Sequence, residues 1–139
     1  MTVLGLDQLT KWLIRRGMVP GQTMQLINGY FNITYVRNPG GAFGLMPSGQ
    51  LFFLAASGAV IVMILGYKVW RRPESAWTNL AVGLILGGTA GNLIDRLSYG
   101  EVIDWLDFRI WPVFNVADMA LVIGLGLFSI QIIRSNRHA

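Results

Sequence analysis

No charged side chain occurs from Asn38 to Tyr67, from Ser75 to Ile94 or from Met119 to Ile133. These three gaps constrain the fold more than any other feature, because a helix needs ~20 mostly apolar residues to cross a bilayer. Residues 51–70 fit one span and residues 76–97 a second. Residues 116–133 fit a third, slightly short, which is expected to tilt little or to thin the bilayer locally. Composition agrees: 53% of the 139 residues are apolar and 13% charged, whereas soluble domains carry ~25% charged residues. With a mean hydropathy of +0.51, the chain is expected to have lipid as its main solvent.

The N-terminal run is different. Met1–Leu6 is apolar, but Asp7, Gln8, Lys11, Arg15 and Arg16 follow closely. That is too short and too polar for a span, and no cleavable small-residue site follows an apolar core as in a signal peptide. The expectation is the outer half of a first membrane helix over residues 2–14, with its inner half upstream of Met1. Asp7 and Lys11 form an i,i+4 acid-then-base pair on one helix face, read as structural polar residues that anchor this helix at the interface.

Lys and Arg near span ends set topology. Lys68, Arg71 and Arg72 follow the 51–70 span, and Arg134 and Arg137 follow the last. With four helices these clusters share a face, which is then cytoplasmic; Lys11, Arg15 and Arg16, on the opposite face, count against that orientation. The chain is thus expected to be one membrane-embedded domain over residues 1–139, with extracytoplasmic segments at 15–50 and 98–115. In the first of these, Phe31, Ile33 and Tyr35 alternate with more polar neighbours in a strand pattern, ended by the turn residues Asn38-Pro-Gly-Gly41. The second, rich in aromatic and acidic residues, has room for short strands.

Several function classes are disfavoured. The net charge of +4 comes from small clusters beside apolar runs, with no basic face and no nucleic-acid motif, so no nucleic-acid partner is expected. There is no cysteine, and the one histidine, His138, lies in the tail. A histidine triad, a metal site or a cofactor is not expected.

Five of the seven acidic residues fall between Asp95 and Asp118, namely Asp95, Glu101, Asp104, Asp107 and Asp118. Acids beside apolar spans are costly to bury and are functional candidates for that reason, although any one of them alone reads more simply as a solvated loop residue. Asp104 and Asp118 stand 14 residues apart with Pro112 between them. A segment of that kind can fold back and bring two carboxylates together at the membrane surface. Asn115-Val-Ala-Asp118 reads equally as a helix cap, with Asn115 at the N-cap and Asp118 in the first turn. Gly83, Gly87 and Gly91 recur every four residues, which lets membrane helices approach closely; they are read as packing, not chemistry. Gly88, Asn92 and Arg96 share a neighbouring face beside Asp95. Asn92 and Arg96 are candidates to bind a substrate backbone or orient an acid, the simpler alternative being a capped helix end with a snorkelling arginine.

Together these residues resemble the lipoprotein signal peptidase (signal peptidase II) family. Asp7-Gln-Leu-Thr-Lys-Trp12 is similar to the first family signature and Asn38-Pro-Gly-Gly-Ala-Phe-Gly44 to the second. Gly91-Asn-Leu-Ile-Asp-Arg-Leu97 with Gly100-Glu-Val-Ile-Asp104 resembles the third, and Phe114-Asn-Val-Ala-Asp118 the last. The resemblance implies a mainly α membrane protein, a bundle of four transmembrane helices with a small extracytoplasmic β-cradle, in the bacterial cytoplasmic membrane. It implies an aspartic endopeptidase that cleaves diacylglyceryl-modified prolipoproteins just before the lipidated cysteine. Asp104 and Asp118 are then the catalytic pair, near the extracytoplasmic face. Asn38, Asn92, Asp95, Arg96 and Asn115 give polar support or bind substrate, with Asp7 and Lys11 in the first helix. Three departures stand out: few apolar residues precede Asp7, Met119 stands where a small hydroxyl residue is usual, and Gly41 stands where alanine is common.

The chemistry expected is acid–base hydrolysis without a covalent intermediate, by two carboxyls sharing one proton. The expected partners are the lipid-modified prolipoprotein and the phospholipid bilayer, with the protein acting as a monomer. The competing expectations are a catalytically inactive relative or membrane scaffold, motivated by the short N-terminus, and, less favoured, a carrier built on Asp95 and Arg96.

Overall fold

A computed structural model of the protein describes residues 2–40, 49–71 and 75–136. Four helices and three strands run in the order α1 (Thr2–Gly17), β1 (Thr23–Ile27), β2 (Phe31–Asn38), α2 (Gln50–Arg71), α3 (Ala76–Tyr99), β3 (Val102–Asp107) and α4 (Val116–Asn136). The charge gaps located the spans closely: α3 and α4 begin at the expected residues, and each helix runs one to three residues past its expected end. Residues 41–48, which hold the second half of the Asn38–Gly44 motif, lie outside the described residues, as do Arg72 and Arg137.

Three helices are long and apolar enough to cross a membrane, α2, α3 and α4. At 16 residues, α1 rises only ~24 Å and carries four charges. α3 is central and contacts each of the other three helices. Ile64 of α2 packs with Val82 and Ile85 of α3, and Leu121 and Phe128 of α4 close over them. Apolar side chains elsewhere on α2 and α4 point outward, among them Val62, Met63, Val69 and Val122, as expected where the surroundings are hydrocarbon and not water.

The expected glycine ladder is only partly a packing device. A Cβ on Gly87 would lie 2.9 Å from Val3 Cβ, and one on Gly91 would collide with the Asp7 carboxylate. Gly83, by contrast, faces open space. The close α3–α4 approach uses Gly88, against the Ala117 carbonyl, and Gly124, against Ile85 and Leu84.

The sheet is antiparallel in the order β1-β2-β3. It caps the end of the bundle where α3 finishes and α2 and α4 begin. Ile14 and Met18 at the end of α1 pack on Tyr35 and Ile103 of the sheet. β1 was not foreseen, and the simple alternation expected in β2 fails. Asn32 and Tyr35 are the buried positions, because the register with β3 slips by one residue between Ile33 and Val36. Such a bulge re-aims the side chains beyond it, and here it puts Asn38, paired with Val102, on the sheet face that carries Asp104. Gly100 ends α3 with φ 77° and donates its N–H to the Arg96 carbonyl at 3.0 Å. That left-handed cap is easiest for glycine, and it turns the chain straight into β3.

Candidate active site

The segment after β3 does fold back. Leu106 and Phe114 exchange backbone hydrogen bonds, at 2.8 Å and 3.1 Å, and the Trp105 N–H also donates to the Phe114 carbonyl at 2.9 Å. This returns the chain to the end of α3 just as α4 begins. Asp104 and Asp118 thereby line one cavity of about 180 Å³ together with Asn38, Asn92, Arg96 and the Trp111–Phe114 segment.

Asn115 and Asp118 form a reciprocal cap. The Asp118 N–H donates to Asn115 Oδ1 at 2.9 Å, and the Asn115 N–H donates to Asp118 Oδ2 at 3.2 Å. This is the capping-box arrangement with Asn and Asp in its two roles, so the helix-cap reading of these residues holds and also fixes the Asp118 carboxylate. Asn92 Nδ2 donates to the other oxygen of that carboxylate, Oδ1, at 2.7 Å.

Asp104 is held in a parallel way. Asn115 Nδ2 donates to its Oδ1 at 2.7 Å and Asn38 Nδ2 to its Oδ2 at 2.9 Å. The Asn115 amide also reaches Asn92 Oδ1 at 3.0 Å and the Ile103 carbonyl at 3.3 Å. Asp104 is only 2% exposed. Burial pushes its carboxyl up, the neighbouring Asp118 charge pushes it further, and the hydrogen bonds from Asn38 and Asn115 pull it back, leaving it at about 7. A carboxyl near neutrality in a shared cavity is suited to proton transfer at physiological pH.

Behind the aspartates lies a buried ionic cluster. Lys11 Nζ makes 2.9 Å contacts with Asp7 Oδ2, Asp95 Oδ2 and Asn92 Oδ1. Gln8, quoted in the first motif but given no role by sequence reasoning, donates to Asp95 Oδ1 at 3.0 Å and to the Gly91 carbonyl at 3.1 Å. Asp95 does not line the aspartate cavity; it accepts the Ile103 N–H at 3.2 Å. Asp7 accepts the Ala117 N–H at 2.9 Å. Arg96 does line the cavity and lies over the Phe53 ring at 4.9 Å.

Two other candidate acids stand apart. Glu101 pairs with Arg37 at the surface. Asp107, three residues beyond Asp104 on a strand whose faces alternate, points elsewhere and accepts the Thr34 hydroxyl at 2.7 Å and the Arg109 N–H at 2.9 Å. Partial burial pushes its carboxyl up, but those hydrogen bonds and one from Asn32 outweigh the burial and leave it below its ordinary value. Among the described residues, no three His, Cys, Asp or Glu side chains converge as a metal site.

An apolar cleft of about 330 Å³ adjoins the aspartates, lined by Trp111, Phe114, Met119, Val122 and Ile123 and sharing Asp118 with the polar cavity. Sequence reasoning had no signal for Trp111 or Val113 beyond the aromatic richness of their segment.

The model of the family described as signal peptidase (SPase) II matches residues 1–134. A lipoprotein signal peptidase of Moorella thermoacetica is 43% identical over 133 residues, covering 96% of this chain and 89% of that one. One from Desulfitobacterium hafniense is 44% identical over 137 residues, covering 97% and 90%. A solved bacterial membrane enzyme, determined by the in meso method at 2.3 Å, superposes with a TM-score of 0.90 at 31% identity, covering 97% of this chain and 85% of that chain. A second, at 1.9 Å, gives 0.85 at 32% identity, covering 94% and 87%.

Proposed function

This chain belongs to the signal peptidase II family, and from that premise we propose that it is an aspartic endopeptidase that removes signal peptides from diacylglyceryl-modified prolipoproteins. The observation that carries the aspartic reading is the pair of carboxylates, Asp104 and Asp118, lining one cavity and each held by a donor from Asn92 or Asn115. Two carboxyls so placed cannot both ionise easily, so they share one proton near neutral pH. The pair titrates as a unit, and base and acid are not assigned to one residue each.

Water enters between them. The ionised carboxylate takes a proton from water as its oxygen bonds to the scissile carbonyl carbon. The protonated carboxyl donates to the carbonyl oxygen, which avoids a free oxyanion. Collapse of the tetrahedral adduct breaks the C–N bond. The departing nitrogen takes the proton held by one carboxyl, while one hydroxyl of the adduct gives its proton to the other carboxylate. The second product therefore leaves as a carboxylic acid, and one proton is again shared by the pair. Asn92 and Asn115 orient the carboxylates, and Asn38 and Arg96, at the cavity wall, hold the substrate backbone.

The apolar cleft beside Asp118 is suited to the lipid chains, which places the cut at the membrane boundary. Lys68 and Arg134 lie toward the bundle end away from the sheet, which supports a multi-pass protein of the bacterial cytoplasmic membrane with its catalytic end outside. The protein acts as one domain and as a monomer.

The test is cleavage of a synthetic lipidated peptide by Asp104→Asn and Asp118→Asn. Each is expected to lower kcat by roughly 10²–10⁴-fold, the range for a lost general acid–base group. Near-normal turnover in both, or a folded parent protein that never cleaves, defeats the proposal.

A further inference from the structure

We propose that Lys11, on the first helix, is a positioning residue for the reaction: its ammonium sets both the spacing of Asp104 and Asp118 and the direction of the hydrogen bonds that reach them, without touching substrate. The inference rests on the aspartate-pair reading above.

The three N–H bonds of the ammonium are all used, by Asp7, Asp95 and Asn92, each at 2.9 Å. Each partner then holds a chain segment beside one of the aspartates. Asp7 accepts the N–H of Ala117, the residue before Asp118. Asp95 accepts the N–H of Ile103, the residue before Asp104. Lys11 therefore joins, through two carboxylates, the backbone positions that precede the two aspartates, one on β3 and one on α4.

The third contact sets polarity. Asn92 Oδ1 accepts from Lys11 and from Asn115 Nδ2. An ammonium can only donate, so the oxygen of the Asn92 amide must face it. Asn92 Nδ2 is then turned toward Asp118 Oδ1, where it donates at 2.7 Å. Without the cation, Asn115 Nδ2 alone holds the amide oxygen in place, and a flip that the ammonium prevents would present that oxygen to the Asp118 carboxylate, a repulsive contact. Lys11 is 2% exposed and does not line the aspartate cavity, so its effect on chemistry is indirect.

A lysine that served folding alone would alter the amount of folded enzyme and leave its turnover alone. The test is Lys11→Met in the full chain, purified in detergent, with kcat, KM and the pH profile measured on the folded fraction using a dipalmitoylglyceryl-cysteine peptide. The expected result is a fall in kcat of about 10²-fold, the cost of a small misplacement of reacting groups, with KM unchanged. The charged groups around Lys11 are Asp7 and Arg15 on its own helix, Asp95 and Arg96 on α3, Asp118 on α4 and Asp104 on β3. The Lys11 charge favours the ionised form of Asp104, so its loss makes the shared proton harder to remove and the alkaline limb of activity moves to higher pH. If Lys11→Met does not fold, Lys11→Met with Asp95→Asn keeps the net charge of the cluster and leaves an amide oxygen for the Ile103 N–H; the same fall in kcat at unchanged KM is expected. A folded variant with parental kcat and alkaline limb overturns the inference, as does a rise in KM with kcat intact. Asp104→Asn and Asp118→Asn in the same series separate the two failures: if both retain turnover, the aspartate reading falls, and if only the Lys11 variants do, this inference falls alone.

Discussion

Asn115→Ser separates two jobs that one side chain performs. The parent amide oxygen caps α4 by accepting the Asp118 N–H at 2.9 Å, and the amide nitrogen donates to Asp104 Oδ1 at 2.7 Å. Serine is about as good an N-cap as asparagine, so helix stability is expected to change by only a few tenths of a kcal/mol from the cap. Its shorter side chain does not also reach Asp104. That carboxylate then loses a hydrogen bond to its charged form, worth ~1.5–3 kcal/mol where one partner is ionised. The parent enzyme should lose activity on the alkaline side as the shared proton leaves the pair, in which Asp104 is a carboxyl pushed up to about 7 by burial and by the Asp118 charge. A lost hydrogen bond to the ionised form makes that proton harder to remove. The limb should therefore move to higher pH, by roughly one to two pH units for the energy above. The assay is kcat for a lipidated peptide across pH, alongside thermal unfolding in detergent. Asn115→Ala is the control: it loses both jobs and should unfold earlier, by about 1 kcal/mol for the cap beyond the serine variant. An unmoved alkaline limb in Asn115→Ser would refute the assignment of this hydrogen bond, and equal destabilisation by serine and alanine would refute the cap.

Other substitutions probe the same framework. Asn38→Ala removes the second donor to Asp104 and should also move the alkaline limb to higher pH; a shift to lower pH would contradict the role given to that bond. Gly91→Ala forces a methyl against the Asp7 carboxylate and within 3.2 Å of Ala117 Cβ. It should cost about 1–3 kcal/mol of stability by overpacking. Gly83→Ala meets nothing and should be neutral or stabilising by up to ~1 kcal/mol in thermal unfolding, since alanine is the better helix former. The proposed chemistry needs two carboxyls and water, so a chelator should leave turnover unchanged; loss of activity restored by added divalent metal would count against it.

Much of this molecule was legible because a bilayer penalises isolated charge so heavily that spans appear as gaps in the charge pattern. That physics is local along the chain, and so are the i,i+4 pairing of Asp7 with Lys11 and the capping of α4 by Asn115, which are set by helix geometry alone. Charge gaps, helix spacing and turn residues, all read along the chain, locate the spans, the acidic candidates and the turn-rich segment between Asp104 and Asp118. Which of these groups meet is set by packing in three dimensions. Lys11 finds Asn92 across 81 residues of chain, Asn38 reaches Asp104 after a bulge in β2 has shifted the register, and Asp107 is turned away by strand alternation from the cavity that its near neighbour lines. Such distances depend on how α1 seats against Gly91 and how β3 folds back onto Phe114. Contacts of that kind arise from packing between segments remote in the chain, and no spacing within one segment encodes them.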